Sequence, residues 1–218
     1  MKLEDNLATG LEIKTSNIKK AGLGVFATAG LPAGIPIAEY KGDLLLINEV
    51  RERGVYEIKG EQPKSLMPRY SLWHPAAKVR GEDGRQLDVY IDAHPTLSKS
   101  PIGFGGYIND KHNYNNRPSG YWDTEQEGDI LEKNRQRMQY LIDNGYNAQY
   151  YPVPTQPYFM ILSIKDIEAG EEIYVDYGDP YWEKEKADFL QAKKDNKEFL
   201  KMSKAIESGK KVLVSPKK

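Results

Sequence analysis

Hydrophobic residues in the first part of the chain form short runs separated by turn residues. LEIKTS at 11–16 and AGLGVFATAG at 21–30 are typical of brief strands. GIPIAEYKGDLLLI at 34–47 alternates between apolar and polar residues before a final apolar run, which predicts another extended segment. Two prolines and a glycine within 32–36 predict a tight turn between the second and third segments.

Residues 47–86 are polar and mixed, and they predict a variable insert. QLDVYIDA at 86–93 predicts a further strand. Apolar residues between Gln126 and Asn144 recur at helical spacing and predict a helix.

The last part of the chain begins with YFMILSIKDI at 158–167, which predicts a strand. IEAGEEIYVDYG at 167–178 predicts a turn leading into another strand. The spacing of apolar residues from Trp182 to about Ser208 suits an amphipathic helix. The pattern therefore predicts a β-rich α+β domain with a helical insert and a C-terminal helix.

Composition places the chain among globular proteins, since 39% of its 218 residues are apolar and 29% are charged. The polar, acidic N-terminus MKLEDNLATG is unlike a secretory signal, and no apolar run approaches the roughly 18 residues of a membrane span. An intracellular setting without membrane association is expected. Cysteine is absent and there are three histidines, so neither disulfides nor a metal site is expected.

Charge is unevenly distributed along the chain. Residues 183–218 contain eleven Lys against six Asp and Glu, a net charge of +5, whereas the whole chain carries −1 and the remaining residues therefore carry −6. A basic tail of this kind can contact nucleic acid or an acidic protein surface, and a solvated helix of mixed charge is the simpler interpretation.

Four separated segments carry recognisable motifs. The first is GLGVFA at 22–27 and the second is IAEYKG at 37–42. The third is GYIND at 106–110, with Asn-Ala at 147–148 after it, and the fourth is AGEEIYVDYGD at 169–179. Taken in order, they resemble the gly-x-gly turn, glu-tyr-x-gly strand, arg-phe-ile-asn-his core and gly-glu-glu-ile-x-x-asp-tyr-gly-asp segment of the SET-domain family of protein-lysine methyltransferases.

This resemblance implies a SET-type fold of short twisted sheets with a knot-like C-terminal segment, and S-adenosylmethionine as cofactor. It implies a catalytic domain over 1–182, with 47–86 as a substrate-side insert and 111–146 as a helical insert. Residues 183–218 would then form a basic helical extension.

The resemblance also implies a catalytic role for Tyr177, whose hydroxyl would face the transferring methyl group and the incoming amine. Because a phenol with a pKa near 10 is a poor base at neutral pH, we expect it to orient and support rather than to remove a proton. Tyr40 would line the lysine channel. Tyr150 or Val175 would set the methylation state, and the hydroxyl of Tyr150 suggests mono- or dimethylation.

The cofactor would lie against residues from the first, third and fourth motifs and against Trp182, because glycines let a backbone approach a bulky ligand and Asn offers both a donor and an acceptor. Each residue also has a purely structural interpretation, as a turn glycine, a bracing Asn, a packing Tyr or a core Trp. The expected cofactor-binding residues are Gly22, Leu23, Gly24, Tyr107, Asn109, Asp110, Tyr177 and Trp182.

Two positions depart from the family pattern, since Gly106 stands at the Arg position and Asp110 at the His position. In the family, the adenine is commonly held through backbone atoms at that His, which an Asp can also supply. A SET-fold peptide- or chromatin-binding module without catalysis is therefore the alternative to an enzyme.

The expected partner is a protein or peptide with a reactive lysine. A histone tail is the leading substrate, and a non-histone protein is the alternative. A nuclear location follows if the substrate is a histone, and nucleic acid would be contacted only through the basic tail. The sequence specifies neither which lysine is modified nor an oligomeric state.

Overall fold

The structure is a computed structural model of all 218 residues, and it divides into two compact units, Met1–Tyr177 and Gly178–Lys218. In the first unit it describes residues 4–7, 9–19, 21–50, 70–94, 98–112, 130–154 and 156–177. In the second unit it describes residues 178, 181–183, 186, 187 and 194.

Short strands dominate the described part of the first unit, which also contains one turn of 3-10 helix, a 14-residue α-helix and the helical residues 47–50. The strands are β1 (Leu11–Thr15), β2 (Leu23–Ala27), β3 (Pro36–Tyr40), β4 (Asp43–Leu45), β5 (Ser71–Arg80), β6 (Gln86–Asp92), β7 (Ala148–Pro152) and β8 (Phe159–Ser163). The 3-10 helix spans Phe104–Tyr107, and the α-helix, α1, spans Ile130–Asp143.

These strands form three small antiparallel sheets with the orders β1–β2, β3–β8–β7 and β4–β6–β5. In the second sheet Tyr40 pairs with Phe159, which brings together segments nearly 120 residues apart in the chain. The prediction of a β-rich α+β domain with a helical insert is confirmed.

One hydrophobic core joins the three sheets. Strand β2 is buried from Gly24 to Ala27 and β3 from Ile37 to Tyr40, so both strands are covered on two faces. Strand β8 instead alternates between fully and partly buried residues, as expected for a strand with one face on the core. The core includes Val25, Ile37, Ala38, Ile91, Ile108, Ile161, Ile173 and Val175.

Close backbone contacts hold the 3-10 helix against β3. A Cβ atom added at Gly103 would lie 2.0 Å from the carbonyl oxygen of Glu39, and one added at Gly105 would lie 2.8 Å from the same atom. Only glycine allows two backbones to come this near. The motif at 106–110 is thereby placed beside the strand that carries Tyr40.

Helix α1 ends in a glycine-based cap. The N–H of Gly145 donates to the carbonyl of Ile142, and the N–H of Tyr146 donates to that of Leu141. Gly145 has a φ of 80°, the left-handed conformation that this Schellman arrangement requires. The cap directs Tyr146 inward, where it packs with Leu141 and Ile164 in a small second core.

The expected strand at 11–16 is observed as β1, the one at 21–30 as β2, the one at 86–93 as β6 and the one at 158–167 as β8. The extended segment at 34–47 is two strands, β3 and β4, separated by Lys41 and Gly42.

Three expectations need correction. The polar 47–86 region contains a ten-residue strand, β5, and residues 148–152 form β7, which the sequence did not predict. The expected strand after the 168–171 turn is absent from the described residues. Glu172 bridges Phe26 and Tyr174 bridges Asn109, so each contact has a different neighbour and no continuous ladder forms.

Some expectations lie partly outside the described residues, including 51–69 of the insert and the start of the helix expected from Gln126. In the second unit, residues 181–183, 186, 187 and 194 are helical, and the remainder of the predicted Trp182–Ser208 helix lies outside the described residues. No helix within the described ranges is long and apolar enough to cross a membrane.

Candidate active site

Tyr177 lies against the backbone of the motif at 106–110. Its hydroxyl donates a 2.7 Å hydrogen bond to the carbonyl of Ile108, and its backbone N–H donates a 2.9 Å bond to Oδ2 of Asp110. Two residues earlier, the N–H of Val175 donates to the carbonyl of Asn109. Ring and backbone of Tyr177 are therefore both held by one short segment.

Asn109 connects this segment to the glycine-rich strand β2. Its side-chain Nδ2 donates to the carbonyl of Leu23 at 2.9 Å and to Oε1 of Glu172 at 3.3 Å. Ile108, which accepts the Tyr177 hydroxyl, is thus followed directly by Asn109, which bonds to the 22–24 segment. The structure brings together the predicted catalytic tyrosine and the predicted cofactor strand.

Glu172 is a buried carboxylate, 3% exposed, at the centre of these contacts. Besides Asn109, it accepts hydrogen bonds from the Ser16 hydroxyl at 2.6 Å, the Asn17 N–H at 2.7 Å and the Tyr174 hydroxyl at 2.9 Å. Burial, followed by the bond to Glu172, raises the pKa of the Tyr174 hydroxyl above its usual value. Glu172 therefore orders the loop that leads into Gly22.

The two glycines of the first motif have different surroundings. Gly22 has a φ of 81°, and nothing lies within 4 Å of the position that a Cβ would take, while the neighbouring Leu23 is 49% exposed. A Cβ at Gly24 would instead lie 2.2 Å from Oε1 of Glu172. The open backbone at Gly22 and Leu23 can receive a ligand, whereas Gly24 has a packing reason to be glycine.

Asp110 turns its side chain inward and is 5% exposed. Oδ2 accepts the N–H of Tyr177, while Oδ1 accepts the hydroxyl of Tyr146 at 2.9 Å and the N–H of His112 at 3.0 Å. Any contact of Asp110 with the expected cofactor would therefore use its main chain.

A cluster of aromatic rings lies on the sheet β3–β8–β7. The rings of Tyr40 and Tyr150 meet edge to face, with centroids 5.5 Å apart, and Phe159 packs 6.3 Å and 6.1 Å from them. The Tyr40 hydroxyl donates to the carbonyl of Tyr70 at 2.5 Å. Tyr150 and Tyr177 both pack against the main core that contains Tyr40.

Tyr107, Gly106 and Trp182 lie where packing against neighbouring residues accounts for them. Tyr107 is 8% exposed within the main core, and its burial, helped by Tyr70, raises the pKa of its hydroxyl. A Cβ at Gly106 would lie 3.1 Å from both Cβ and the carbonyl oxygen of Ala93, so little room remains for an Arg there. Trp182 belongs to the second unit, where its ring packs 4.9 Å from that of Tyr181.

A shallow surface cavity of about 530 Å³ lies next to the aromatic cluster. Its lining includes Lys41 and Gly42, which follow Tyr40, and Tyr158, which precedes Phe159. None of the residues expected to bind the cofactor lines it. Among the described residues, no group of three His, Asp or Glu side chains is arranged to hold a metal ion.

Glu172, Tyr146 and His74 were not predicted from the sequence, although Glu172 and Tyr146 bond to predicted residues and His74 packs on Phe159 of the aromatic cluster. Glu172 lies within the quoted AGEEIYVDYGD segment, but a glutamate beside a turn is ordinarily solvated. Tyr146 follows a Gly at a helix end, a signal for a cap rather than for a site. His74 is fully buried and packs 4.8 Å from the ring of Phe159, in a region that showed no periodicity.

Comparison with known proteins adds a family assignment to this geometry. The family model described as SET domain matches residues 22–178. No curated protein sequence matches the chain significantly. A solved structure described as ctPRC2 in an autoinhibited conformation bound to S-adenosylmethionine is similar, with a TM-score of 0.45 and 20% identity. The match covers 79% of this chain and 15% of that one.

Proposed function

Because this chain belongs to the SET-domain family, we propose that it transfers a methyl group from S-adenosylmethionine to the side-chain amine of a lysine in a protein. The observation that carries the proposal is the contact chain from Tyr177 through residues 108 and 109 to Leu23. It joins the predicted catalytic group to the predicted cofactor strand.

Membership of the family confirms the resemblance drawn from the four motifs, and with it the SET-type fold. S-adenosylmethionine is the cofactor of SET-domain methyltransferases. The knot-like passage of the C-terminal segment and the individual site residues stay predictions.

The residues around the 22–24 segment fit this cofactor. Gly22 has open space where a side chain would project, Leu23 is half-exposed, and Asn109 braces the same strand. When bound, the cofactor supplies an electrophilic methyl group on a sulfonium. The chain's own contribution is to position the donor and the amine and to exclude water.

Tyr177 is suited to orienting the reacting groups rather than to removing a proton. Its hydroxyl donates to the carbonyl of Ile108, and this bond uses its proton and directs the oxygen lone pairs away from that carbonyl. The lysine must be neutral to attack, and entry into a channel lined by Tyr40 and Tyr150 would lower its pKa by desolvation.

The packing supports Tyr150 over Val175 as the residue that sets the methylation state. Val175 is fully buried within the main core, whereas Tyr150 is partly buried and contacts Tyr40 edge to face. A phenolic hydroxyl beside the amine would crowd successive methyl groups. We therefore propose mono- or dimethylation, and mainly trimethyl-lysine from the wild type would contradict it.

A histone tail is the proposed substrate, and with it a nuclear location. The support is bulk charge, since residues 1–182 carry −6 and a basic peptide complements them. A non-histone protein with a basic segment around its lysine would be accepted on the same grounds.

The second candidate is a SET-fold binding module without catalysis, which Gly106 and Asp110 favour because they depart from the family pattern. The side chain of Asp110 nevertheless bonds the backbone of Tyr177, and Gly106 lies where an Arg has little room. Both departures thus have a structural role that is compatible with catalysis. Calorimetric titration with S-adenosylmethionine separates a binder of cofactor from a module that has lost it.

The direct test is incubation of the full chain with isotopically labelled S-adenosylmethionine and a panel of histones, followed by mass spectrometry of the labelled peptides. We expect a labelled lysine with wild type and loss of most of the activity in Tyr177→Phe and Asn109→Ala. Tyr151→Phe is the matched control, because Tyr151 is 45% exposed and outside the site. Full turnover in Tyr177→Phe would refute the assigned active centre.

A further inference from the structure

The end of helix α1 contacts the predicted active site through Tyr146. The Schellman cap at Gly145 directs Tyr146 into the protein, where it is 1% exposed. Its hydroxyl donates a 2.9 Å hydrogen bond to Oδ1 of Asp110, and both residues are buried. The ring also contacts that of His112, with centroids 5.4 Å apart.

The same carboxylate holds the backbone of Tyr177. Oδ2 of Asp110 accepts the Tyr177 N–H at 2.9 Å, and Oδ1 also accepts the N–H of His112. An ionised carboxylate can accept on both oxygens at once, whereas an amide presents an acceptor on only one side. Asp110 therefore links the last turn of the helical insert to the backbone that carries the catalytic hydroxyl.

We propose that Asp110 and Tyr146 are positioning residues, through which the docked end of α1 fixes the orientation of Tyr177 and so sets the rate of methyl transfer. The proposal rests on the proposed function. It goes beyond it by giving the helical insert a part in catalysis and by giving the side chain of Asp110 a positioning role, beside the cofactor contact expected of its backbone.

The physical argument is one of orientation. Tyr177 is held at two points, its ring hydroxyl by the carbonyl of Ile108 and its backbone N–H by Asp110. Removing the Tyr146 bond leaves Oδ1 of Asp110 held by the His112 N–H but without its side-chain donor, and this loosens the second point while the first remains. Catalysis by positioning is sensitive to such shifts, since a misplacement of about 1 Å lowers rates by about 100-fold.

The principal test is Tyr146→Phe, which keeps the ring in the small core and removes only the hydroxyl. We expect kcat to fall by about tenfold, because a loosened tyrosine is misplaced by part of an ångström. The dissociation constant of S-adenosylmethionine and the KM of the peptide should stay within about twofold, since ground-state contacts are kept. Tyr151→Phe is the control for an exposed tyrosine on a neighbouring strand.

Asp110→Asn tests the carboxylate itself, with Asp143→Asn as the control because Asp143 is exposed at the end of α1. We expect a larger fall in kcat than for Tyr146→Phe. Combining the two changes should add little to the loss from Asp110→Asn alone, because Tyr146 acts through Asp110. Fully multiplicative effects would overturn the proposed linkage.

Hydrogen exchange of the Tyr177 amide tests the geometry without any turnover. Asp110 protects this N–H, so exchange should quicken in Tyr146→Phe and Asp110→Asn while amides of β3 and β8 keep wild-type rates. Unchanged exchange at Tyr177, or a raised dissociation constant for S-adenosylmethionine in Tyr146→Phe, would overturn the positioning role. Faster exchange in a chain without methyl transfer would leave this geometry supported and refute only the proposed function.

Discussion

At the scale of single residues, the buried carboxylate of Glu172 accounts for the glycine at position 24 of the first motif without a ligand. It accepts bonds from Ser16, Asn17, Asn109 and Tyr174, and it occupies the direction that a side chain at Gly24 would take. A buried carboxylate without partners is costly, so this set of donors must be kept together. The glycine at 24 makes that arrangement possible.

Gly24→Ala should therefore destabilise the protein by about 1–3 kcal/mol, because the new methyl group displaces the Glu172 carboxylate from its donors. Gly30→Ala is the matched control, since nothing lies within 4 Å of its Cβ position and its φ is not positive. Denaturant unfolding of both variants measures the difference. Equal midpoints would contradict the packing role assigned to Gly24.

At the scale of secondary-structure elements, strand β5 owes its shape to a buried histidine. The register of β5 against β6 shifts between His74 and Lys78, a bulge that includes Pro75, which has no N–H to donate. Nδ1 of His74 accepts the N–H of Ala77 at 2.8 Å across the bulge, and Nε2 lies 3.2 Å from the carbonyl of Tyr158, which requires the proton on Nε2.

The His74 ring also packs on Phe159, so β5 contacts the aromatic cluster through this histidine. We expect His74→Ala to lower the free energy of unfolding by about 2–4 kcal/mol, through a cavity and the unpaired N–H of Ala77. Val79→Ala on the same strand is the control, because Val79 is 38% exposed, and its loss should be under about 1 kcal/mol. Thermal or denaturant unfolding monitored by circular dichroism gives both values, and similar losses would count against this role for His74.

At the scale of the whole first unit, Asp5 links segments that are distant in the chain through hydrogen bonds. The carboxylate of Asp5 accepts the N–H groups of Leu7, Glu39 and Phe104. It thereby joins the chain start to β3 and to the 3-10 helix that precedes Asn109. Burial raises the pKa of the Asp5 carboxyl above its ordinary value of 3.8, more than its hydrogen bonds lower it.

This shift has a definite sign in the pH dependence of stability. Because the folded protein holds the Asp5 proton more tightly than the unfolded chain does, the contribution of Asp5 to stability is largest below pH 3.8 and falls as pH rises through the folded pKa. As pH rises from 3.5 to about 7, the free energy of unfolding of wild type should therefore fall relative to that of Asp5→Asn. A trend of opposite sign for Asp5→Asn would refute the raised pKa.

The sequence by itself determined the family, most of the strands and the order of the motifs. Strand periodicity, turn residues and short motifs are local properties, so β1, β2, β6, β8 and helix α1 were predictable from the residues that form them. The four motifs are likewise local, and the family model confirms their resemblance to the SET-domain family.

Only the tertiary structure decided which side chains serve which neighbours. A bulge in strand β5 interrupts the alternation of its side chains between the two faces, so the strand is recognised only from its pairing with β6. Asp110 reaches Tyr146 and Tyr177, 36 and 67 positions away, and Glu172 reaches Ser16 across 156 positions. Such contacts depend on how the sheets pack, and a local sequence pattern does not specify a partner so distant in the chain.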